Sequence, residues 1–299
     1  MNKIMASIAL TTLGLISSSV SKAEYTVTEA LEEEEGSTSD SASFQGYVEV
    51  NGLNMYYEIY GEGKPLVLIH GGGSTIQTTF GKAIPLLAQN RKVIAVELQA
   101  HGRTADRNTE LSFRQDADDV VALLKKIGVD KADFLGFSNG GTTTLYIAME
   151  YPIVVDKVIL ASALAKRNGV PEWFWEFMED AKLDNMPQQL KDAYLEVTPD
   201  RKRLQVMHDK DARRMLHFTD IPDEKIQAIE APTLVLIGDK DVITLEHALE
   251  LHQLITNSEL AIIPGGHGEY IGEITTLKPD FKETDLVVPL VEKFLDKAW

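Results

Sequence analysis

Residues 132–141 read Ala132-Asp133-Phe134-Leu135-Gly136-Phe137-Ser138-Asn139-Gly140-Gly141, and this stretch decides the fold. The run 132–135 has the composition of a buried strand, and residues 142–150, directly after the stretch, have that of a helix. Glycines two residues before and after Ser138 give a G-x-S-x-G pattern, which leaves room for a sharp turn from strand to helix. The positive end of the helix would lie near the serine and favour a developing oxyanion. The pattern therefore predicts that Ser138 is a nucleophile.

Similar short apolar runs, typical of strands that are buried on both faces, recur along the chain. They are residues 65–69, 93–96, 132–135, 158–161, 233–237 and 260–263. Helical patterns, such as that of residues 113–127, lie between most of them. Strands that alternate with helices predict an α/β fold with a mostly parallel central sheet and helices on both faces. Two further strands, 47–50 and 55–59, flank the turn signal Asn51-Gly52 and would add an antiparallel edge.

One segment interrupts the alternation, because residues 165–229 look helical throughout. A helical segment inserted between two parallel strands would lie over the strand ends as a cap. Residues 46–164 and 230–299 would then form the α/β core. Trp173, Phe174 and Phe177 cluster near the start of the cap. There they would either contact the substrate or form the core of the cap itself.

The first 45 residues differ in character from the rest. Lys3, an apolar run at 4–16 and the small-x-small sequence Ser21-Lys22-Ala23 predict an export signal, residues 1–23, that is cleaved after Ala23. The mature protein would be periplasmic or secreted, without stable membrane association. An uncleaved anchor is the alternative, although the apolar run is short for a membrane span. Residues 24–45 contain four consecutive glutamates and predict a disordered acidic linker.

The composition excludes several classes of function. A net charge of −17 over 299 residues argues against contacts with nucleic-acid phosphates or anionic membranes. The chain has no cysteine, and therefore no disulfide, no thiolate nucleophile and no cysteine-ligated metal. The glycines 71–73 lack the later lysine of a P-loop and the third spaced glycine of a dinucleotide site. We expect no cofactor and no metal, and the sequence does not indicate an oligomeric state.

A glycine-rich loop, His70-Gly71-Gly72-Gly73, follows the predicted strand 65–69. An oxyanion hole needs backbone N–H groups that a substrate can approach without an intervening side chain. We expect Gly72 to supply one N–H group, with Gly73 as the alternative, and Asn139 to supply the other. His70 is expected to hold the loop in place and not to act as a base.

Two loops after the last two predicted strands supply candidates for the base and its acidic partner. They read Gly238-Asp239-Lys240-Asp241 and Pro264-Gly265-Gly266-His267-Gly268. A serine needs a neutral imidazole to take its proton, and a carboxylate fixes the imidazole tautomer and stabilises the cation. Of the seven histidines, only His267 lies on a glycine-rich loop after the last strand. His267 is the predicted base, and Asp239 and Asp241 are the candidates for the acid.

Together these motifs resemble the α/β-hydrolase superfamily over residues 46–299, apart from the cap. The resemblance implies Asp241 as the acid, because the family usually places this aspartate three residues after the glycine that ends the strand. Asp239 is the alternative. Residues 99–104 also resemble a loop of the family, although Ala100 replaces its first glycine. Haloalkane dehalogenases and epoxide hydrolases are similar but carry an aspartate where this chain has Ser138, so both are disfavoured.

The serine and the resemblance predict hydrolysis of a carboxylic ester or lactone through an acyl-enzyme intermediate. The substrate would be a small molecule, held in a pocket that includes Gly73, Phe137 and the three cap aromatics. A hydrolase of carbon–carbon bonds and a cofactor-free perhydrolase with the same triad are the first alternatives. An amidase, a peptidase and a non-catalytic binding protein on the same fold are the others.

Overall fold

The computed structural model describes residues 42–282 and 284–299. The predicted export signal and residues 24–41 of the predicted linker lie outside this part of the chain. The first strand begins at Phe44, two residues before the predicted start of the core. Phe44 pairs with Ile59, and its ring centroid lies 5.1 Å from that of Tyr57. The sheet therefore extends into the end of the segment predicted as linker.

Eight strands form one sheet in the described part of the chain. They are β1 (Phe44–Val50), β2 (Leu53–Tyr60), β3 (Lys64–Ile69), β4 (Arg91–Val96), β5 (Ala132–Phe137), β6 (Val155–Ala161), β7 (Thr233–Gly238) and β8 (Ser258–Ile263). Their order across the sheet is β1-β2-β4-β3-β5-β6-β7-β8. β2 pairs antiparallel with β1 and β4, and all other neighbours pair in parallel. The predicted mostly parallel sheet with an antiparallel edge is confirmed.

The hairpin at the edge of the sheet turns at the predicted place. Asn51 and Gly52 have φ values of 47° and 74°. Two successive residues with positive φ are what a type I′ turn requires, and its twist matches that of the flanking strands. The turn sets Val50 opposite Leu53.

The sheet is buried on both faces, as β3 illustrates. Leu66 and Leu68 of this strand belong to one hydrophobic cluster, and Val67 and Ile69 belong to another. All four side chains are fully buried, so water reaches neither face of the strand. Continuous apolar runs are typical of such strands, because both faces pack against helices.

Helices cover both faces of the sheet. Those in the described residues are α1 (Ile76–Phe80), α2 (Ile84–Leu87), α3 (Phe113–Lys126), α4 (Asn139–Glu150), α5 (Glu172–Glu179), α6 (Gln188–Val197), α7 (Arg201–Leu216), α8 (Asp223–Gln227), α9 (Leu245–Leu254) and α10 (Thr284–Asp296). Short 3₁₀ turns occur at Pro152–Val154, Arg167–Gly169, Leu183–Asn185 and Glu269–Ile271. Side chains of α3, α4 and α9 join one hydrophobic cluster, and those of α1, α2 and α10 join the other. The predicted α/β fold class is confirmed.

Helices α5 to α8 lie between β6 and β7, in the segment predicted as the cap. Because β6 and β7 are parallel neighbours, this segment leaves from the carboxyl edge of the sheet. Helix α7 is tied to the core by two ion pairs, Lys210 Nζ to Asp106 Oδ2 at 2.7 Å and Arg214 Nη1 to Asp116 Oδ2 at 2.6 Å. Over the described ranges, no helix combines the length and the apolar character of a membrane span.

Candidate active site

Ser138 lies at the turn from β5 to α4, where the backbone is strained. Its φ of 53° and ψ of −120° fall in a region that residues with side chains rarely adopt. Its N–H group donates a hydrogen bond to the carbonyl of Ala161 at the end of β6 (2.9 Å), which fixes the turn against the neighbouring strand. The serine side chain is thereby held at the carboxyl edge of the sheet, where it lines a cavity.

Two glycines permit this turn. A Cβ atom at Gly136 would lie 2.2 Å from both the carbonyl oxygen of Gly140 and the hydroxyl of Thr144. A Cβ atom at Gly140 would lie 2.1 Å from the carbonyl oxygen of Ile69. Both distances are shorter than real contacts, so no other residue fits without a shift of the backbone. The G-x-S-x-G pattern is therefore a steric requirement for packing α4 against β3 and β5.

His267 joins the serine to a carboxylate. Its Nε2 atom lies 3.0 Å from Ser138 Oγ, and its Nδ1 atom lies 2.7 Å from Asp241 Oδ1. A carboxylate can only accept, so Nδ1–H donates to Asp241, and the Nε2 lone pair faces the serine hydroxyl. The structure thus brings together the three residues predicted as a triad.

Asp241 is fully buried, and both of its oxygens accept hydrogen bonds. Besides His267, Oδ1 accepts from the N–H group of Ile243 (2.9 Å), and Oδ2 accepts from Ser162 Oγ (2.6 Å). Tyr270 Oη lies 2.6 Å from the same serine oxygen. Burial alone would raise the pKa of Asp241, but the charge and hydrogen bond of His267, with the hydrogen bond of Ser162, lower it. The carboxylate is therefore ionised at neutral pH.

Asp239, the alternative acid, has a different partner. Its Oδ1 atom accepts a hydrogen bond from the N–H group of Gly265 at 2.7 Å. Gly265 belongs to the loop that carries His267, so this bond holds the loop in place. The structure brings Asp241, and not Asp239, to the imidazole.

The surroundings of His267 favour its protonated form. Burial alone would lower the pKa of His267, but the charge and hydrogen bond of Asp241 outweigh burial, and Glu273 adds a smaller effect in the same direction. The pKa of His267 consequently lies above its usual value of 6.5. A raised pKa makes the neutral imidazole a stronger proton acceptor.

Two backbone N–H groups are available beside the serine, those of Gly72 and Asn139, and both residues line the cavity. The N–H group of Gly73 is already occupied, since it donates to His101 Nε2 at 3.1 Å. No acceptor within the described residues receives the N–H group of Gly72. Asn139 is the first residue of α4, where an N–H group has no partner inside the helix. Gly72 and Asn139 can therefore serve as oxyanion donors, whereas Gly73 cannot.

His70 holds the glycine loop against the neighbouring strand. Its Nδ1–H group donates to the carbonyl of Gly71 (2.7 Å), and its Nε2 atom accepts from the N–H group of Leu98 (3.1 Å). Burial, together with the nearby His101, lowers the pKa of His70 to about 3. The ring is neutral and fully buried, so it positions the loop and is not a base for the substrate.

A cavity of about 230 Å³ lies between the triad and the cap. The larger apolar side chains that line it from the cap are Phe174, Phe177, Met178, Met186, Leu190, Met207 and Met215. Methionine side chains are flexible and fill irregular space, so this wall can adapt to its ligand. The volume is below the range of pockets for drug-sized ligands, which indicates a small substrate group. Among the described residues, no group of three or more His, Asp or Glu side chains is arranged to hold a metal ion.

Two residues predicted for the pocket do not line the cavity, whereas Gly73, Phe174 and Phe177 do. Trp173 is 57% exposed and lies one helical turn before Phe177, at the edge of the face of α5 that carries positions 174, 177 and 178. Phe137 is buried beneath the serine turn, and its ring centroid lies 4.7 Å from that of the catalytic imidazole. It therefore supports the loop of the base instead of contacting the ligand.

Two polar residues of the site are absent from the sequence-based prediction. Asp211 lines the cavity and lies on the same stripe of α7 as the buried Leu204, Met207 and Met215. A charge within an apolar stripe is a sequence signal that indicates such a residue. Ser162 carries no comparable signal, because its role depends on a hydrogen bond to Asp241 from a neighbouring strand.

A sequence model of the family described as alpha/beta hydrolase fold matches residues 64–213, half of the chain. The matched range contains the glycine loop, the serine turn and most of the cap. The match to this family is consistent with the order and direction of the strands that carry the site.

Several named proteins are similar to this chain. Serine hydrolase BPHL of Homo sapiens is 29% identical over 261 residues, which cover 78% of this chain and 84% of that protein. The 2-hydroxy-6-oxo-6-(2'-aminophenyl)hexa-2,4-dienoic acid hydrolase of Metapseudomonas resinovorans is 25% identical, and the match covers 76% of this chain and 85% of that protein. A solved N-acyl homoserine lactone degrading enzyme is 26% identical with a TM-score of 0.64, and the match covers 83% of this chain and 99% of that one. The two of these proteins whose names state a substrate act on different ones.

Proposed function

The chain belongs to the α/β-hydrolase family, and from this premise we propose that it hydrolyses a carboxylic ester or lactone of a small molecule through an acyl-enzyme intermediate. The observation that carries the proposal is the line of hydrogen bonds from Ser138 Oγ through His267 to Asp241. Serine and imidazole in this arrangement are the groups that acyl transfer requires.

In the first half of the reaction, Ser138 attacks the carbonyl carbon of the substrate. His267 Nε2 takes the hydroxyl proton while Oγ forms the new bond, and Asp241 stabilises the imidazolium that results. The carbonyl oxygen gains negative charge and accepts hydrogen bonds from the N–H groups of Gly72 and Asn139. The positive end of α4 lies at the same place and adds to this stabilisation.

In the second half, His267 gives the proton to the leaving group, and water then releases the acyl group from Ser138. The tetrahedral intermediate collapses, the imidazolium protonates the leaving alkoxide, and the acyl group stays on Ser138 as an ester. A water molecule then gives its proton to His267 and attacks this ester. The second tetrahedral intermediate collapses, the imidazolium protonates Ser138 Oγ, and the carboxylic acid leaves. In a lactone the leaving alcohol remains part of the product, and the steps are otherwise the same.

A hydrolase of carbon–carbon bonds with the same triad is the second candidate. The observation in its favour is the 25% identity to the dienoic acid hydrolase over 76% of this chain. That relative is named for a carboxylic acid, whereas Asp211 places a carboxylate in the cavity of this chain. Two like charges in one cavity repel each other, so we rank the ester or lactone first.

A substrate panel tests the proposal. The panel contains p-nitrophenyl acetate and butanoate, an N-acyl homoserine lactone, a 2-hydroxy-6-oxo-dienoate and a peptide anilide. We expect turnover of the esters or the lactone by the wild type, and a loss of at least about 10³-fold in Ser138→Ala. A fluorophosphonate should add its mass to the peptide that contains Ser138. Turnover confined to the dienoate or to the anilide would contradict the proposal and favour the corresponding alternative.

We also propose that the protein is exported, on the basis of the sequence 1–23 alone. Mass spectrometry of the protein from a periplasmic fraction or culture medium tests this. A mature chain that begins at Glu24 is expected. A full-length chain that stays with the membrane fraction would favour the uncleaved anchor.

A further inference from the structure

Asp211 is the acidic residue on the wall of the cavity that the proposed reaction does not use. It lies on α7, and its side chain is 12% exposed. The other titratable groups that line the cavity, apart from the base, are Lys182, which is exposed, and His208, which lies 3.0 Å from Asp209. A buried carboxylate is costly unless it is paired, so its position in a substrate cavity calls for an explanation.

One oxygen of Asp211 is bound within the protein. Its Oδ1 atom accepts from Asn139 Nδ2 at 3.2 Å and from the guanidinium of Arg214. Asn139 is the residue whose backbone N–H group is available to the oxyanion. This bond therefore joins the carboxylate to the serine turn.

The other oxygen, Oδ2, has no donor among the described residues. His101 Nε2 lies 3.7 Å from this oxygen, beyond hydrogen-bond distance. That nitrogen accepts from the N–H group of Gly73, while Nδ1–H donates to the carbonyl of Gln99 (2.9 Å), so both ring nitrogens already have partners other than Oδ2. Oδ2 therefore keeps its full capacity to accept a hydrogen bond.

The free oxygen lies beside the oxyanion donor Gly72. A Cβ atom at Gly72 would be 2.6 Å from Asp211 Oδ2. A substrate whose carbonyl oxygen binds the N–H group of Gly72 must place its neighbouring atoms close to this carboxylate. The contact thus concerns the part of the substrate next to the scissile carbonyl.

The charge around Asp211 is not balanced. Arg214 forms ion pairs with both Asp211 and Asp116, so two carboxylates share one guanidinium. Burial would raise the pKa of Asp211, but the charge and hydrogen bond of Arg214, together with the nearby His101, outweigh burial and lower it below the usual value. Burial raises the pKa of Asp116 to about 6. Above that pH, the three groups together carry one excess negative charge.

Building on the proposed ester or lactone hydrolysis, we propose that Asp211 determines substrate specificity. Its Oδ2 atom accepts a hydrogen bond from a hydroxyl or ammonium group close to the scissile carbonyl, and its charge excludes a carboxylate from that place. The substrate class is therefore an ester or lactone with a hydrogen-bond donor near the carbonyl.

Four ethyl esters of matched size test this inference in the wild type. They are ethyl butanoate, ethyl 3-hydroxypropanoate, ethyl β-alaninate and monoethyl malonate, which present a methyl, hydroxyl, ammonium and carboxylate group. Acid release at pH 8 gives kcat/KM, which is divided by the rate constant of hydroxide hydrolysis to remove intrinsic reactivity. We expect both donor esters to exceed butanoate, and malonate to fall at least about tenfold below it.

The Asp211→Asn variant separates charge from shape, and Asp209→Asn is its matched control. Asp209 lies on the same helix, its side chain is 44% exposed, and it does not line the cavity. In Asp211→Asn the discrimination against malonate should fall below about threefold and the ammonium ester should lose its advantage, because the charge has gone. In Asp209→Asn the wild-type ratios should remain. These ratios do not change in a variant that has lost only stability.

The outcomes are distinct. A wild type that hydrolyses malonate monoester as well as butanoate overturns the inference, even where Asp211→Asn does not fold. Equal ratios in Asp211→Asn and Asp209→Asn also overturn it. Activity on the esters without discrimination leaves the proposed function intact. No activity on these esters, on the p-nitrophenyl esters or on the lactone contradicts the proposed function, and the inference fails with it.

Discussion

The core and the cap contribute to the active site in different ways. The core supplies Ser138, His267 and Asp241 on loops after three strands, and hydrogen bonds fix each of them. The cap supplies a wall of apolar and methionine side chains, with Asp211 as its buried charge. Hydrogen bonds require one geometry, whereas apolar packing tolerates several. The three residues of the hydrogen-bonded line and most of the apolar wall of the cavity therefore lie in separate parts of the chain.

The largest effect should come from the core, at the nucleophile. Ser138→Ala removes the covalent step and leaves only binding and the oxyanion donors, so kcat should fall by at least about 10³-fold. The melting temperature should stay close to that of the wild type. Ser112→Ala is the control, because this serine caps α3 and should affect stability alone. Fluorophosphonate labelling of Ser138→Ala at the wild-type level would refute the assignment.

The second prediction compares two aspartates of the same loop. Asp241→Asn should lower kcat by about 10²- to 10⁴-fold, because an amide neither fixes the imidazole tautomer nor stabilises its cation. Asp239→Asn should cost less than about tenfold, since an amide oxygen can still accept from Gly265. Steady-state kinetics on one ester decide the ranking. The reverse order would identify Asp239 as the acid.

The third prediction concerns the cap. Phe174→Ala or Phe177→Ala should change the discrimination between acetate and longer acyl esters by about 1–3 kcal/mol, the range for hydrophobic pocket contacts. Turnover of the acetate should persist, because the triad does not depend on these rings. Trp173→Ala is the matched control from the same helix, since this side chain lies outside the cavity. A uniform loss on all esters, with a lower melting temperature, would make the two phenylalanines part of the cap core.

The smallest effect should appear in the pH profile. The base must be neutral to accept a proton, so kcat/KM falls as the pH drops through the pKa of His267, which lies above 6.5. Glu273 contributes to that elevation, and Glu273→Gln should therefore move the acid limb to lower pH by a few tenths of a unit, on the order of 0.3. Glu259→Gln is the control, because this side chain on β8 is 43% exposed, and it should leave the profile unchanged. A shift of the acid limb to higher pH in Glu273→Gln would contradict the role of Glu273 in raising the pKa of His267.

Local patterns explain why much of the fold could be predicted from sequence. The hairpin needs two residues with positive φ, and Asn51-Gly52 is among the few pairs that adopt them readily. The serine turn likewise needs Gly136 and Gly140 for steric reasons that involve only adjacent elements. Such requirements leave a recognisable pattern within a few residues of the chain.

Features that depend on distant contacts leave no such pattern. Ser162 reaches Asp241 across 79 positions, and nothing near Ser162 in the sequence indicates that partner. The choice between Gly72 and Gly73 as oxyanion donor depends on His101, which occupies the N–H group of Gly73. The direction of Trp173 depends on which face of α5 packs inward. Tertiary structure decides each of these.

The cap helices differ in how they are attached to the core. For protein engineering, this divides the wall of the cavity into a part that is held by ion pairs and a part that can be replaced. Helix α7 is anchored to the core through Lys210 with Asp106 and Arg214 with Asp116. Residues 172–190 form no ion pair with the core in the described part of the chain, yet they supply much of the apolar wall. Directed evolution confined to that segment can reshape the pocket without disturbing the buried charges. A chimera with a foreign segment at 172–190 should therefore keep its turnover and acquire a new acyl preference.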